Sequence, residues 1–394
     1  GPVVLIQSYG SACNDIGRLK DYEGYILIFD ECTAFKNPKS RTHKVCRYLA
    51  TRAERCWGMT ATLIKNNLLE GYGITKVVVP GLFRLTERGF MDHYAIVQMQ
   101  RVAKGRQVPK IVGYSSQHIK KFRERIEPYY LGRPKHAVAD ELPLLTTRDI
   151  TVSPTKWQSR KYAEALTGLL EHGDGELRDY QETTKLTSLI YCQEIVNHPA
   201  LIDFPDYSSK KLDALTDILT DGDLEGEKVI IFSRFKKMVD VAMAHLTKKG
   251  LKCVRVTGDE SGKDRKEAML SFQDPKSDTN VIFITMAGGD AINLQAAKAL
   301  IFYDTPWSAG DYIQILGRMI RIGSEHDRVY AIHLLCRGTI DEHVQAVVRK
   351  KMNLIKAVLG ERVKGEKERD ITYSTSSDVS DVFDALVKDA RNLR

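Results

Sequence analysis

No Cys-x-x-Cys pair occurs among the 7 cysteines of this sequence. Their odd number and wide spacing (Cys13, Cys32, Cys46, Cys56, Cys192, Cys253, Cys336) argue against both a zinc site and a disulfide framework. A reducing compartment fits that usage. No apolar run approaches the length of a membrane span, so no membrane partner is expected. The opening residues, GPVVLIQSYG, carry no basic stretch of the kind that begins a secretory leader. The sequence also lacks a Gly-x-x-x-x-Gly-Lys-Ser/Thr loop, the usual backbone cradle for phosphates. Its nearest approach, Gly258 to Asp264 (GDESGKD), is one residue short and ends on a carboxylate that repels phosphate.

What is present is a globular composition. The chain has 394 residues, 43% of them hydrophobic, which favours more than one domain, each with its own core. A net charge of +8 permits a polyanionic partner without requiring one.

Val3 to Gln7 (VVLIQ) reads as a buried strand followed by a loop at Ser8, Tyr9 and Gly10. Tyr25 to Phe29 (YILIF) reads as a second buried strand, ending in Asp30-Glu31. Loops at the carboxyl ends of parallel strands build sites. Two carboxylates there can divide the work, one holding Mg²⁺ and one orienting or deprotonating water. Alone, a strand-end Asp is equally a helix cap. Arg55 to Thr62 (RCWGMTAT) is a third strand-to-loop step. Gly81 to Ala137 mixes apolar residues with many bases and reads as a mainly helical insert with a basic face. Ile119, Phe122, Ile126 and Tyr129 have helical spacing, and Lys104 to Lys110 reads as a loop. Such a face is commonly just solvated; phosphate contact through Lys120 and Lys121 is the sharper reading.

A strand at Asp149 to Val152 precedes helices over 157–170 and 186–196, with a break at Gly173 to Gly175 and a linker at 205–209. Beyond a helix at Ser209 to Leu219, the runs KVIIF, VIFIT and ALIFY alternate with helical segments. That rhythm implies a parallel sheet covered on both faces. Late elements are a strand at 328–335, a helix at 340–359, a charge run at 364–369 and an amphipathic helix near 379–390. Gln314 to Gly323 (QILGRMIRIG) places Arg318 and Arg321 three residues apart. On a helix this spacing points both guanidiniums one way, suited to the charge on a transferring phosphoryl group. Alone, they are equally two solvated arginines.

In their order, these landmarks resemble the Swi/Snf-like ATPases of helicase superfamily two. Asp30-Glu31-Cys32-Thr33 is similar to that family's Asp-Glu-Ala-His box, and Gly58 to Thr62 to its motif III. Ile126 to Val138 with Glu141-Leu142-Pro143, Asn197-His198-Pro199-Ala200-Leu201, Val229 to Arg234, Thr285 to Leu294, Asp304 to Trp307, Gln314 to Ser324 and Gly338 to Glu342 follow in the family's sequence. There are departures: Cys32-Thr33 stands for Ala-His, Ala61-Thr62 for Thr-Pro, Met286 for Arg, Asp290 for a small or apolar residue, and Ser324 for Gln.

The resemblance implies an α/β fold of two RecA-like lobes with helical insertions, the first lobe incomplete because its phosphate cradle is missing. Residues 1–143 would be the partial first lobe, with the basic insert at about 84–137. Residues 144–208 would be a helical insert, 209–337 the second lobe, 338–362 a brace helix and 363–394 a linker and final helix. It further implies ATP and Mg²⁺ as cofactors and duplex DNA as partner; the missing segment would be removed, disordered or on another polypeptide, in the last case a partner in trans. Asp30 would bind Mg²⁺ and Glu31 would activate water. Arg318 and Arg321 would be arginine fingers. Gln314, Gly289 and Asp290 would border the nucleotide, with Gly288, Gly289 and Asn293 coupling it to DNA. Ser8, Tyr9, Ser233, Arg234, Thr285, Gly288 and Trp307 would lie along the duplex. The implied activity is an ATP-dependent translocase on double-stranded DNA, weak in this chain alone. The competing expectations are a non-catalytic duplex-binding module and a strand-separating DNA or RNA helicase. A cytoplasmic, nucleoid-associated protein of bacterial or phage source is the expected setting.

Overall fold

The computed structural model describes residues 3–101, 107–132, 142–173, 182–288, 292–359, 373–374 and 378–392. The expected features at Gly173–Gly175 (beyond residue 173), Lys104–Arg106, Arg133–Glu141 and 364–369 lie outside the described residues. Contacts divide the chain into two units: residues 1–101, 107–132 and 350–376, and residues 102–106, 133–349 and 377–394.

The first unit opens with two short helices, α1 (Tyr9–Asn14) and α2 (Ile16–Leu19). Strand β1 (Tyr25–Phe29), helix α3 (Arg41–Arg52) and strand β2 (Ala53–Gly58) follow. β1 and β2 pair in parallel, and among the described residues they form a two-stranded sheet. Helices α4 (Leu68–Val78) and α5 (Glu87–Tyr94), strands β3 (Ile96–Arg101) and β4 (Gln107–Tyr114), and helix α6 (Ser116–Ile126) complete this part. Its core is aromatic: Tyr72 and Phe90 lie 4.6 Å apart, and Phe83 stacks on Phe122 at 5.7 Å.

Two expectations are corrected here. Val3 to Gln7 is not a buried strand: Val3 and Ile6 are 91% and 89% exposed, with no strand assigned. An apolar run becomes a strand only when a ladder partner takes its amides and carbonyls, and no partner is described for this one. Nor is β1 fully buried, since Ile26 and Ile28 are more than half exposed, with Trp57 of β2 in register with Ile28. The basic insert is helical at α5 and α6 and also holds a hairpin that the sequence reading did not foresee. Its centre is the antiparallel pair β3–β4, in which β-branched Ile96, Val97, Val108, Ile111 and Val112 favour pleated backbone.

The second unit begins with β5 (Leu144–Val152), α7 (Lys156–Gly173), α8 (Glu182–Asn197) and α9 (Lys210–Thr220). Then come β6 (Val229–Phe232), α10 (Lys236–Lys248), β7 (Lys252–Val256), α11 (Gly262–Gln273), β8 (Thr279–Ile284) and β9 (Ala299–Phe302). It continues with α12 (Ala309–Met319), β10 (Arg328–Cys336), α13 (Ile340–Leu359, which enters the first unit at residue 350) and α14 (Asp378–Asn392). The sheet order is β5-β10-β9-β6-β8-β7, parallel throughout. The expected α/β class therefore holds. Val229, Ile231, Val281, Phe283, Ala299 and Ile301 pack on one face against Leu212, Leu215 and Leu219 of α9 and Met238, Val239 and Leu246 of α10. On the other face Phe302 stacks against Tyr312 of α12 at 4.7 Å. Period-2 alternation of a strand buried on both sides requires such continuous apolar runs.

At the end of α8, His198 accepts the Ala200 amide through Nδ1 at 3.1 Å. Burial, aided by His245, pushes its pKa down to about 4 against the opposing pull of Asp213. The unfolded chain takes up this proton near its ordinary value of 6.5, the folded one only near 4. Stability is thus fully present above about 6.5 and falls toward about 4, at roughly 1 kcal/mol per pH unit. Denaturant unfolding of the wild type and His198→Asn between pH 7 and 4.5 checks this; the variant should show the shallower decline.

Candidate functional site

β1 delivers Asp30 and Glu31 at its carboxyl end, both exposed. Glu31 has φ 48 and ψ 54, a left-handed backbone rare for a side chain other than glycine. Its amide donates to Asp30 Oδ1 at 3.0 Å. Next door, the Cys32 amide donates to the Met59 carbonyl at 2.9 Å, tying the turn to the end of β2. Tyr9 supports the turn from the other side. Its hydroxyl donates to the Asp30 carbonyl at 2.6 Å, and its ring lies 6.2 Å from Phe29. Burial, with nearby Cys46, Cys32 and the two carboxylates, pushes the Tyr9 phenol well above its ordinary range. It therefore stays a neutral donor. Tyr9 thus braces the carboxylate turn in this chain. Ser8 caps α1, its Oγ accepting the Ser11 amide at 3.1 Å, and remains exposed.

Further along this unit, Glu70 is nearly buried and accepts from Lys36 Nζ at 2.5 Å and from the amides of Lys65 and Asn66. Its burial opposes the charge, but Lys36 and these donors prevail and hold its pKa below the ordinary value. Lys120 and Lys121 are exposed on α6, the former 4.0 Å from Glu124.

In the second unit, α12 carries Gln314 and Arg318, both half-buried. Ser308 caps the helix, its Oγ accepting the Asp311 amide at 3.4 Å. The helix stops at Met319: Ile320 turns extended at φ −82 and ψ 92. Arg321 thus lies beyond the helix, and the expected helical i, i+3 alignment with Arg318 does not hold. Arg321 is placed by other means. Its Nε donates to the Gly317 carbonyl at 2.9 Å, and its Nη1 donates to Asn293 Oδ1. The Arg318 carbonyl accepts the Leu294 amide at 3.0 Å, so residues 293–294 brace both arginines. Gly289 and Asp290, expected near the nucleotide, lie outside the described residues.

Several residues expected along a duplex turn inward. Ser233 is 1% exposed and donates to Asp304 Oδ2 at 2.5 Å. Thr285 is 6% exposed and donates to the Thr257 carbonyl at 2.8 Å. Their hydroxyls are engaged inside the fold. Gly288 is buried as well, and a Cβ there would collide with the Val256 carbonyl. Its lack of a side chain serves a close backbone approach. Arg234 and Trp307 remain half-buried: the guanidinium lies 4.7 Å from the indole centroid, and both donate to Gln193 Oε1.

Beneath them is a buried polar network. Asp304, fully buried, accepts from Ser233, from the Arg234 amide at 2.9 Å and from Asn197 Nδ2 at 3.2 Å. Burial pushes the Asp304 pKa up against those donors. Lys211, 1% exposed, reaches Asn197 Oδ1 at 2.9 Å and Asp341 Oδ2 at 2.8 Å, beneath the Tyr303 ring. Sequence reasoning missed Lys211 and Gln193. The pattern held a signal for the first: Lys211 shares a helical face with Leu215, four residues on, which a solvated lysine would not.

A family model described as the SNF2-related domain matches residues 2–201, and the helicase conserved C-terminal domain matches residues 210–323. The chain is 28% identical over 376 residues to "Chromodomain-helicase-DNA-binding protein 1-like" of Danio rerio, covering 91% of this chain and 34% of the relative. It is 24% identical over 370 residues to "ISWI chromatin-remodeling complex ATPase ISW1" of Saccharomyces cerevisiae, covering 90% and 31%. The chain thus spans about a third of the length of the curated relatives it matches. Among solved structures, the Sulfolobus solfataricus SWI2/SNF2 ATPase core in complex with dsDNA is similar at 22% identity and TM-score 0.45, covering 90% of this chain and 76% of that one.

Proposed function

From the premise that the chain belongs to the SNF2-related family, we propose that it carries the motor of an ATP-hydrolysing translocase on double-stranded DNA. The observation that carries this reading is the turn at Asp30-Glu31. Two exposed carboxylates follow a parallel strand, and the second is held in a backbone conformation that costs about 1–3 kcal/mol and that proteins retain mainly at functional sites.

The residues present fit a magnesium nucleotide at one point. Asp30 offers an exposed carboxylate, and among the described residues no group of three or more His, Cys, Asp or Glu forms a closed metal cage. Mg²⁺ suits such a place, since it keeps waters and takes phosphate oxygens beside one or two carboxylates. When bound, it neutralises phosphate charge. Glu31 would orient and deprotonate the attacking water. Arg318 and Arg321 of the second unit would supply permanent positive charge to the phosphoryl group in transfer, with Gln314 bordering it. Ser8, Lys120, Lys121, Arg234 and Trp307 are the remaining candidates for backbone contacts to DNA, which suit a motor indifferent to sequence.

The missing Gly-x-x-x-x-Gly-Lys-Ser/Thr loop favours a second reading, a duplex-binding module without catalysis. Phosphate release by the full chain, with and without duplex DNA, separates the two. Release stimulated by duplex and lost in Glu31→Gln supports the motor. Duplex retention with no release supports the binding module. Strand displacement from a forked duplex would favour a helicase over both.

A further inference from the structure

One buried group in the second unit has no place in the chemistry above. His333 of β10 is 1% exposed and sits between two partners. Its Nδ1 lies 3.1 Å from Asp149 Oδ1 on β5, and its Nε2 lies 3.1 Å from the Tyr312 hydroxyl on α12. Its ring stacks on Phe302 of β9 at 5.2 Å and on Tyr312 at 5.6 Å. Asp149 is itself fixed by Arg349 Nη2 of α13 at 2.5 Å.

These contacts determine the proton's place. An ionised carboxylate only accepts, so Nδ1 carries the hydrogen and donates to Asp149. Nε2 then holds a lone pair, and Tyr312 donates to it. The charged and titratable groups facing the imidazole are Asp149 from β5, Arg349 from α13 and Tyr312 from α12; β9 contributes only the Phe302 ring. Burial lowers the pKa of His333, Asp149 pulls the other way, and Arg349 lowers it further. A proton on Nε2 would reverse the polarity of its bond to Tyr312.

The position of Tyr312 gives this arrangement its consequence. Gln314 and Arg318 lie about 200° and 240° round the same helix from Tyr312. Pinning Tyr312 inward therefore fixes the direction in which the opposite face points. We infer that Asp149, His333 and Tyr312 form a positioning relay that sets the rotation of α12 and so aims Gln314 and Arg318. His333 is a positioning residue, and its role rests on the proposed hydrolysis.

The test uses the full chain and three variants. Tyr312→Phe deletes one oxygen without changing the ring. His333→Phe keeps the stack and breaks both hydrogen bonds. His333→Gln retains an acceptor and a donor. Amide hydrogen exchange in α12 is read beside the kcat and KM of ATP hydrolysis. The expected result for Tyr312→Phe and His333→Phe is a kcat lowered about fivefold to tenfold, the size of one hydrogen bond. KM should change less than twofold, melting temperature little, and exchange at 314–318 should quicken. His333→Gln should recover part of the loss. The relay falls if exchange in α12 is unchanged in both Phe variants, or if it quickens only in step with global unfolding. If the wild type hydrolyses no ATP, the proposed function fails while exchange still decides the relay.

Discussion

Arg321→Ala is expected to lower duplex-stimulated ATP hydrolysis by about 10³-fold or more, the size of an arginine-finger loss in phosphoryl transfer. Arg321 lies past the end of α12, yet its guanidinium is held by the Gly317 carbonyl and by Asn293. Preorganised charge stabilises a transition state without reorganising during the reaction. Arg321→Lys should recover little, because an ammonium cannot match a planar fork that contacts two acceptors at once. Arg318→Ala is expected to fall in the same range. Steady-state and single-turnover rates with duplex DNA decide the matter. A loss under tenfold with an unchanged melting temperature would remove Arg321 from the chemistry.

Lys211→Ala is expected to destabilise the second unit by about 3–5 kcal/mol, because it leaves a carboxylate buried without its cation. Asp341 is 2% exposed, and among the described residues its Oδ1 has no hydrogen-bond partner. Lys211 and the Cys336 amide, at 3.0 Å, serve its other oxygen. Asn197 would also lose a donor, and Tyr303 a cation over its ring. In a unit of this size the melting temperature should drop by roughly 10 °C. Lys211→Met combined with Asp341→Leu should cost less than the single change, since no uncompensated charge remains. It would not be neutral, because the Cys336 amide loses its acceptor. Calorimetry on the three variants checks the order. A single-variant loss below about 1 kcal/mol, the size of a surface pair, would show the buried pair to be dispensable.

The second unit was legible because its strands are continuous apolar runs, and a parallel sheet covered on both faces admits little else. KVIIF, VIFIT and ALIFY gave β6, β8 and β9 to within a residue or two at each end. VVLIQ had the same character and failed, because a strand is defined by its neighbour and not by its own composition. The hairpin β3–β4 was missed because bases among its β-branched residues masked the period of two. Asp30 and Glu31 fall at the end of β1, and Gln314 and Arg318 on α12, as their spacing suggested. The burial of Ser233, Thr285 and Gly288 was hidden, since hydroxyls and glycine read alike whether they meet a phosphate or a carbonyl. His333, Asp149 and Tyr312 come from strands and a helix far apart in sequence, and no local pattern could have joined them.

The edge strand β5 pairs along nine registered positions with β10, nearly two hundred residues later. Asn197, at the end of α8, accepts from Ser209 and Tyr303 through its carbonyl. Anyone wishing to express the carboxyl-terminal half as an autonomous piece should therefore cut ahead of Leu144. A start at residue 209 would strip the outer strand from a six-stranded sheet and bare the carbonyls of its neighbour.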